Sequence, residues 1–199
     1  MSFRIYHINW LEVVIAPAID LLYSTPTDTE LIRRDTNERT SVANIHSKVN
    51  GIFSQIQSEN QQFANLRFDI EYNRNYEHTK RIFEKCGFCH IENCFIKERN
   101  QLRTNSSPDM ILHQRGSNED NQVVIEFKKT SNVRIQERDL DKAKLIYFTC
   151  QQSFLDRDDE DYKYQIGFFI DLDEDRYSLN TYQDTTYDDP RVRYGGRWL

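Results

Sequence analysis

The sequence predicts an α/β fold with a mixed central β-sheet flanked by helices. Two observations lead to it: apolar residues recur with helical spacing in two separate stretches, and apolar runs typical of strands lie between and after them. At 199 residues, the chain has the length of one domain. We therefore expect a single domain, residues 1–199, with a core over about 37–172, an N-terminal extension at 1–36 and a C-terminal tail at 173–199.

The first helical stretch is the clearest element. Five of its apolar residues follow one another at steps of three, four, three and four: Val42, Ile45, Val49, Ile52 and Ile56. This spacing places them on one face of a helix over roughly residues 37–58. Before that helix, we expect a strand and a short helix within residues 3–23 and a loop at 24–35.

Strand patterns follow this helix. Alternation over residues 66–71, and again over 109–113, is typical of half-buried strands. A polar turn at 115–121 leads from the second of these to the apolar run 123–128, so the two runs predict a β-hairpin. Between the first two strands, residues 76–85 predict a short helix.

A second helix and a last strand complete the pattern. Five residues at helical spacing predict a helix over roughly 137–152: Leu140, Ala143, Tyr147, Cys150 and Phe154. The apolar run 164–172 then predicts a buried strand. The resulting order of elements is αβββαβ.

Composition excludes several classes of protein. Apolar residues make up 38% of the chain and aromatic residues 13%, which is enough for a buried core rather than a disordered chain. The net charge of −6, from 26 Lys and Arg against 32 Asp and Glu, argues against a basic protein that coats nucleic acid. A polyanionic partner would have to meet a local basic patch, or metal ions that neutralise carboxylates and phosphates together.

The most apolar N-terminal stretch, Trp10–Tyr23, is interrupted by Glu12 and Asp20. No uncharged apolar run approaches the ~20 residues that a transmembrane helix needs, and this stretch does not have the apolar core of a signal peptide. We expect a soluble, cytoplasmic protein that has no membrane partner.

The predicted hairpin carries side chains suited to phosphodiester chemistry. Asp109 stands at the start of its first strand, and Glu126 and Lys128 share one face of the second, so pairing of the strands brings all three together. Carboxylate oxygens can hold Mg²⁺, and an ammonium can orient or deprotonate the attacking water or offset charge in the transition state. The alternative is ordinary charge alternation on a surface strand, but the apolar run Val123–Ile125 before Glu126 favours a functional site.

These residues resemble the motif of the PD-(D/E)XK nuclease superfamily, whose fold is the restriction-endonuclease-like core. The motif here is Pro108-Asp109, sixteen intervening residues, and Glu126-Phe127-Lys128. The αβββαβ order strengthens the resemblance, and four segments are similar to a subgroup of uncharacterised prokaryotic nucleases: Asn37–Arg39, Glu71–Arg74, Met110–His113 and Asp141–Leu145. The resemblance implies that Asp109 and Glu126 bind Mg²⁺, for which Mn²⁺ can substitute, and that Lys128 serves the nucleophile.

The resemblance also implies a further metal ligand from the first helix, and Glu38 is the natural match. Glu38 lies four residues before Val42, on the apolar face that points toward the sheet. The alternative is a capping box, with Asp35 as the N-cap and Glu38 three residues later.

Four basic side chains are weaker candidates for contacts with nucleic acid: Arg74, His113, Lys142 and Lys144. Arg74 could hold a phosphate with two hydrogen bonds, while His113 shares the strand face of Asp109. A packed strand histidine and solvated helix lysines are the alternatives.

The cysteines Cys86, Cys89 and Cys94, with His90 or Cys150, have enough ligands for Zn²⁺ or an iron–sulfur cluster. A second Cys-x-x-Cys pair is missing, and reduced, incidental thiols are favoured.

The sequence thus predicts a Mg²⁺-dependent DNA endonuclease in which Glu38, Asp109 and Glu126 bind metal and Lys128 activates water. Two alternatives stay open: a catalytically silent, nuclease-fold subunit of a nucleic-acid-processing or defence complex, and a ribonuclease. A homodimer would suit the two strands of a duplex. A regulator or a larger complex is expected, because an uncontrolled nuclease would be toxic to its host.

Overall fold

The computed structural model describes six separate segments of the chain, which include most of the predicted core. They are residues 8–34, 37–70, 107–117, 120–131, 134–149 and 163–183, together with the backbone of four two-residue strands between residues 74 and 105. No helix in these segments is long and apolar enough to cross a membrane.

Three helices precede the sheet. After a π-helical turn at Leu11–Ile15 they are α1 (Ala16–Ser24), α2 (Pro26–Arg33) and α3 (Glu38–Glu59). The expected loop at 24–35 is wrong, because Thr25 is the N-cap of α2 and Pro26 occupies its first position, where the missing N–H of proline breaks no helical bond. The expected strand within 3–23 is also wrong for the described residues, which are helical from Trp10 onward.

Four two-residue strands follow the first long strand, β1 (Leu66–Ile70). They form two antiparallel pairs: β2 (Arg74–Asn75) with β3 (His78–Thr79), and β4 (Arg81–Ile82) with β5 (Thr104–Asn105). The expected helix at 76–85 is therefore wrong at its described residues. Its β-branched and aromatic residues suit strands when a pairing partner is at hand.

The central sheet has five strands in the order β1-β6-β7-β8-β9. Its remaining strands are β6 (Met110–Gln114), β7 (Val123–Lys129), β8 (Ile166–Leu172) and β9 (Tyr177–Tyr182). Neighbours are antiparallel except for β7 and β8, which are parallel and are joined through the helix α4 (Ile135–Thr149). The prediction of a mixed sheet flanked by helices is confirmed, as is the antiparallel pairing of β6 with β7.

The two faces of this sheet pack against different helices. One face carries Val123, Ile125 and Phe127 and lies in one apolar cluster with residues of α1, α2 and α3. The other carries Val124 and packs against Leu145 and Phe148 of α4. This division follows from strand geometry, since successive side chains point to opposite faces.

The core extends beyond the boundaries expected at residues 37 and 172. Ile15, Ile19 and Leu22 of the N-terminal helical region are fully buried in the larger cluster. Strand β9 adds Tyr177 and Leu179 to the same cluster. The expected extension and the first part of the expected tail therefore contribute to the core.

One glycine in the sheet allows a close approach of α4. A Cβ atom on Gly167 of β8 would lie 3.1 Å from Thr149 Cγ2 and 3.4 Å from both Leu145 Cδ2 and Tyr182 Cβ. The first of these distances is tighter than most real contacts, so α4 sits as near to the sheet as the missing side chain permits.

Candidate active site

The pairing of β6 with β7 places Asp109 beside Glu126. Met110 is opposite Ile125 in the register, so Asp109, one residue earlier, meets the chain at Glu126 and Phe127. The Asp109 Oδ2 atom accepts a hydrogen bond of 2.8 Å from the backbone N–H of Phe127. Burial raises the pKa of Asp109 to about 6, although this hydrogen bond and the charge of Lys128 oppose the shift.

Glu126 is the most deeply buried carboxylate of the site. Its exposed fraction is 1%, and its Oε1 atom has no hydrogen-bond partner among the described residues. The nearest cation is the Lys144 ammonium, 3.8 Å from Oε1. Burial and the neighbouring charge of Asp109 raise the pKa of Glu126 well above its ordinary value. Glu126 is therefore a buried acid whose charge is only partly compensated.

Lys128 lies on the same face of β7 and is held by two carboxylates. Its Nζ atom is 3.0 Å from Glu38 Oε1 and 2.9 Å from Asp141 Oδ2. Burial alone would lower the pKa of Lys128, but Asp141 and Glu38 more than offset it and the net shift is upward. Lys128 therefore carries a full positive charge at neutral pH. Lys129, the next residue, points to the opposite face and donates to the carbonyl of Leu31 in α2 at 3.1 Å.

Glu38 reaches the site from the first turn of α3. The helix begins at Glu38, and the Oδ1 atom of Asn37, its N-cap, accepts a hydrogen bond of 3.1 Å from the Arg39 N–H. The alternative capping box, with Asp35 as the N-cap, is therefore wrong, because Glu38 is the first helical residue and not the third. Its carboxylate pairs with Lys128.

Two residues of α4 complete the cluster. Asp141 is 5% exposed, and its two oxygens contact different ammonium groups, Oδ2 that of Lys128 and Oδ1 that of Lys144. Burial lowers the pKa of Lys144, but Glu126 and Asp141 reverse this and raise it.

From sequence, Lys144 was predicted as a contact for nucleic acid, whereas Asp141 appeared only as the first residue of the segment Asp141–Leu145 and had no predicted role. The spacing of Asp141, Leu145 and Phe148 could have indicated it, because residues four and three positions apart lie on one face of a helix.

Of the remaining sequence candidates, the two whose side chains are described, His113 and Lys142, lie outside this cluster. His113 is buried and lies 2.9 Å from Asp69, four residues or about 13 Å along β6 from Asp109. The Lys142 ammonium lies 5.2 Å from the centre of the Phe169 ring. Arg74 is described only in its backbone, and the cysteines Cys86, Cys89, Cys94 and Cys150 lie outside the described residues.

The donor set suits a hard divalent cation. In the described segments, no three His, Cys, Asp or Glu side chains are grouped as a ready coordination shell, and lysines bridge the carboxylates instead. Carboxylate oxygens are nevertheless the ligands that Mg²⁺ prefers. The unpartnered Oε1 of buried Glu126 is an oxygen that a cation would satisfy.

Comparison of the chain with protein-family models, with curated proteins and with solved structures finds no match. The interpretation of the site therefore depends on six side chains and their geometry: Glu38, Asp109, Glu126, Lys128, Asp141 and Lys144.

Proposed function

We propose that the chain is a Mg²⁺-dependent endonuclease that hydrolyses phosphodiester bonds in DNA, built on a restriction-endonuclease-like core. The observation that carries the proposal is the adjacent pair of carboxylates on the hairpin, half-buried Asp109 and fully buried Glu126, with the ammonium of Lys128 close enough to affect the pKa of both. The order α3-β1-β6-β7-α4-β8 supports it, because it reproduces the αβββαβ order of that fold once the short strands are set aside.

The energetic cost of this arrangement supports a functional role. A charged group buried without a full partner destabilises the folded state, and both acids have raised pKa values as a result. Structural salt bridges normally lower the pKa of an acid, as Arg115 and His113 do for Asp69 despite its burial. Raised values beside a fixed cation are typical of sites that bind a charged ligand or do acid–base chemistry.

Each side chain has a definable part in hydrolysis. Glu38, Asp109 and Glu126 would hold the ion, which when bound would polarise the phosphate and lower the pKa of water. Lys128 has three N–H donors, of which Glu38 and Asp141 engage two. The third can hold the attacking water or a phosphate oxygen. Because the pKa of Lys128 is raised, its part is to orient and to offset negative charge, rather than to remove a proton.

The decisive experiment is cleavage of supercoiled plasmid and of single-stranded DNA in Mg²⁺, in Mn²⁺ and in EDTA. We expect metal-dependent nicking or linearisation by the wild type, and a loss of about 10²–10³-fold in Lys128→Met, the range for removing one donor that stabilises developing charge. Lys48→Met is the matched control, because this lysine also pairs with a carboxylate, that of Asp28, outside the cluster; it should cleave as the wild type does. Equal cleavage by the wild type and Lys128→Met would contradict the proposal. A single-stranded RNA substrate in parallel separates a ribonuclease from a deoxyribonuclease.

A second candidate is a binding subunit that keeps the scaffold without catalysis. One observation favours it: the ammonium groups of Lys128 and Lys144 already contact three of the four carboxylates, Glu38, Glu126 and Asp141, where a metal ion would otherwise bind. A ligand that binds only the folded state raises its melting temperature. No cleavage together with no metal-dependent rise in melting temperature would favour the binding subunit. No cleavage with a clear rise would indicate a working site that lacks its substrate or activator.

A further inference from the structure

The carboxylate of Asp141 lies between the two ammonium groups of the site. One of its oxygens accepts from Lys128 of β7 and the other from Lys144, one turn further along α4. Lys144 in turn is the cation nearest to Glu126. A single buried side chain therefore connects the positions of both cations.

We propose that Asp141 is a positioning residue, which fixes the ammonium groups of Lys128 and Lys144 for catalysis without itself contacting the substrate. This inference rests on the proposed nuclease function. It assigns to α4 the positioning of both ammonium groups, a role that neither the hairpin motif nor the first helix supplies.

Chain geometry explains why such a residue is needed. A lysine side chain has four flexible carbons, so its ammonium group occupies one place only when partners fix it. Glu38 supplies one partner to Lys128 from α3, and Asp141 supplies a second from α4. With two partners on different elements, the ammonium is held between α3 and α4, and its remaining donor keeps one direction.

A purely structural role for Asp141 is the competing explanation. Leu145 and Phe148 are fully buried between α4 and the sheet, and Arg138 of the same helix pairs with Asp171 of β8. These contacts attach α4 independently of Asp141. Neutralising Asp141 should therefore leave the helix in place and release only the lysines.

The test compares Asp141→Asn with Asp139→Asn, an equal change on an exposed side chain of the same helix. We expect Asp141→Asn to lower kcat by about 10–100-fold, as the loss of supporting hydrogen bonds does in related sites, with KM nearly unchanged. Asp139→Asn should leave both constants unchanged. In a Lys128→Met background the effect of Asp141→Asn on kcat should become smaller, because residues that act as a unit are not additive. A wild-type kcat in Asp141→Asn, or an undiminished effect in that background, would overturn the inference.

A spectroscopic readout keeps this inference separate from the nuclease proposal. The ammonium groups of Lys128 and Lys144 should give ordered ¹⁵N–¹H signals in the wild type and in Asp139→Asn. Lys→Arg variants assign the two signals. In Asp141→Asn, both signals should disappear or shift. Unchanged signals would overturn the role of Asp141, whatever the enzyme does. Absence of cleavage by the wild type, with these signals lost in Asp141→Asn, would remove the nuclease proposal and leave the positioning of the lysines supported.

Discussion

The two faces of the central sheet differ in what they bury. The face toward α1, α2 and α3 is apolar at most of its described residues, with Lys129 as a charged exception. It holds aromatic rings in edge-to-face contact: the ring centre of Phe53 lies 5.8 Å from that of Trp10 and 5.1 Å from that of Phe68. The face toward α4 has a smaller apolar patch, which includes Ile111 and Val124. Charged groups lie on either side of that patch.

The charges on the α4 face are themselves of two kinds. At the end of β6 near Arg115, the Asp69 carboxylate is hydrogen-bonded by both His113 and Arg115. At the opposite end, Asp109 and Glu126 are adjacent acids with incomplete compensation. The first group stabilises the fold, whereas the second is a cost to stability that the apolar face has to offset. Most of the apolar stabilisation therefore lies on one face of the sheet, and the residues of the proposed chemistry lie on the other.

The apolar face should show the largest effect on stability. Phe53→Ala removes a ring that is 2% exposed, and we expect the free energy of unfolding to fall by about 3–5 kcal/mol, from lost burial and the cavity left behind. Urea denaturation measures it. Val13→Ala, at a side chain 43% exposed, is the control and should change the value by no more than about 0.5 kcal/mol. Equal losses in the two variants would remove the distinction between the faces.

The uncompensated acids should make the metal-free protein less stable as pH rises. The pKa of Asp109 is about 6 in the folded chain against an ordinary value of 3.8. Between these values the folded state keeps a proton that the unfolded state releases, so the stability present below pH 4 is lost by about pH 7. The difference corresponds to about 3 kcal/mol for this group.

Urea titrations in EDTA from pH 4 to pH 8 measure this loss, and Asp109→Asn should reduce it. An identical pH dependence in the variant would show that Asp109 is not the group responsible.

The paired charges should give the smallest effect, with the opposite dependence on pH. Asp69→Asn should lower the free energy of unfolding by about 1.5–3 kcal/mol at pH 7, the range for hydrogen bonds to charged groups. Because the pKa of Asp69 is lowered in the folded state, its contribution is present above the ordinary aspartate range and is lost as pH falls below it. The variant and the wild type should therefore converge in acid, while cleavage stays unchanged. A loss of cleavage as large as that of Lys128→Met would show that the two ends of this face act as one site.

The local sequence pattern was sufficient to predict α3 and the strands of the hairpin. The helix expected at 37–58 spans Glu38–Glu59, and strand periodicity correctly placed Glu126 and Lys128 on one face of β7. These features depend on spacing within one element, which the sequence contains directly. Helix α2 was missed although Thr25-Pro26 is a typical start of a helix, because the Ser, Thr and Pro content of 24–35 is equally typical of loops.

The role of α4 could not be predicted in the same way. Its pattern predicted an inward stripe through Leu140, Ala143 and Tyr147, whose side chains lie outside the described part of the chain. Its buried side chains that are described include Asp141, Leu145 and Phe148. A buried aspartate becomes favourable only when cations from elsewhere meet it, and one of these, Lys128, comes from another element. Such compensation depends on tertiary contacts, which hydrophobic periodicity does not report.

Gly167 sets one of the tertiary contacts on which the position of Asp141 depends. The glycine lies under Leu145 and Thr149, which follow Asp141 and Lys144 on the same helix, so the spacing between helix and sheet determines how deeply both charged groups enter the site. Displacements of about 1 Å at a reacting centre can change a rate about 10²-fold. A methyl group at position 167 would touch neither the substrate nor any charged residue. It would increase the spacing between α4 and the sheet. Under the proposed function, the rate would therefore respond to a residue in the apolar interior that neither solvent nor ligand reaches.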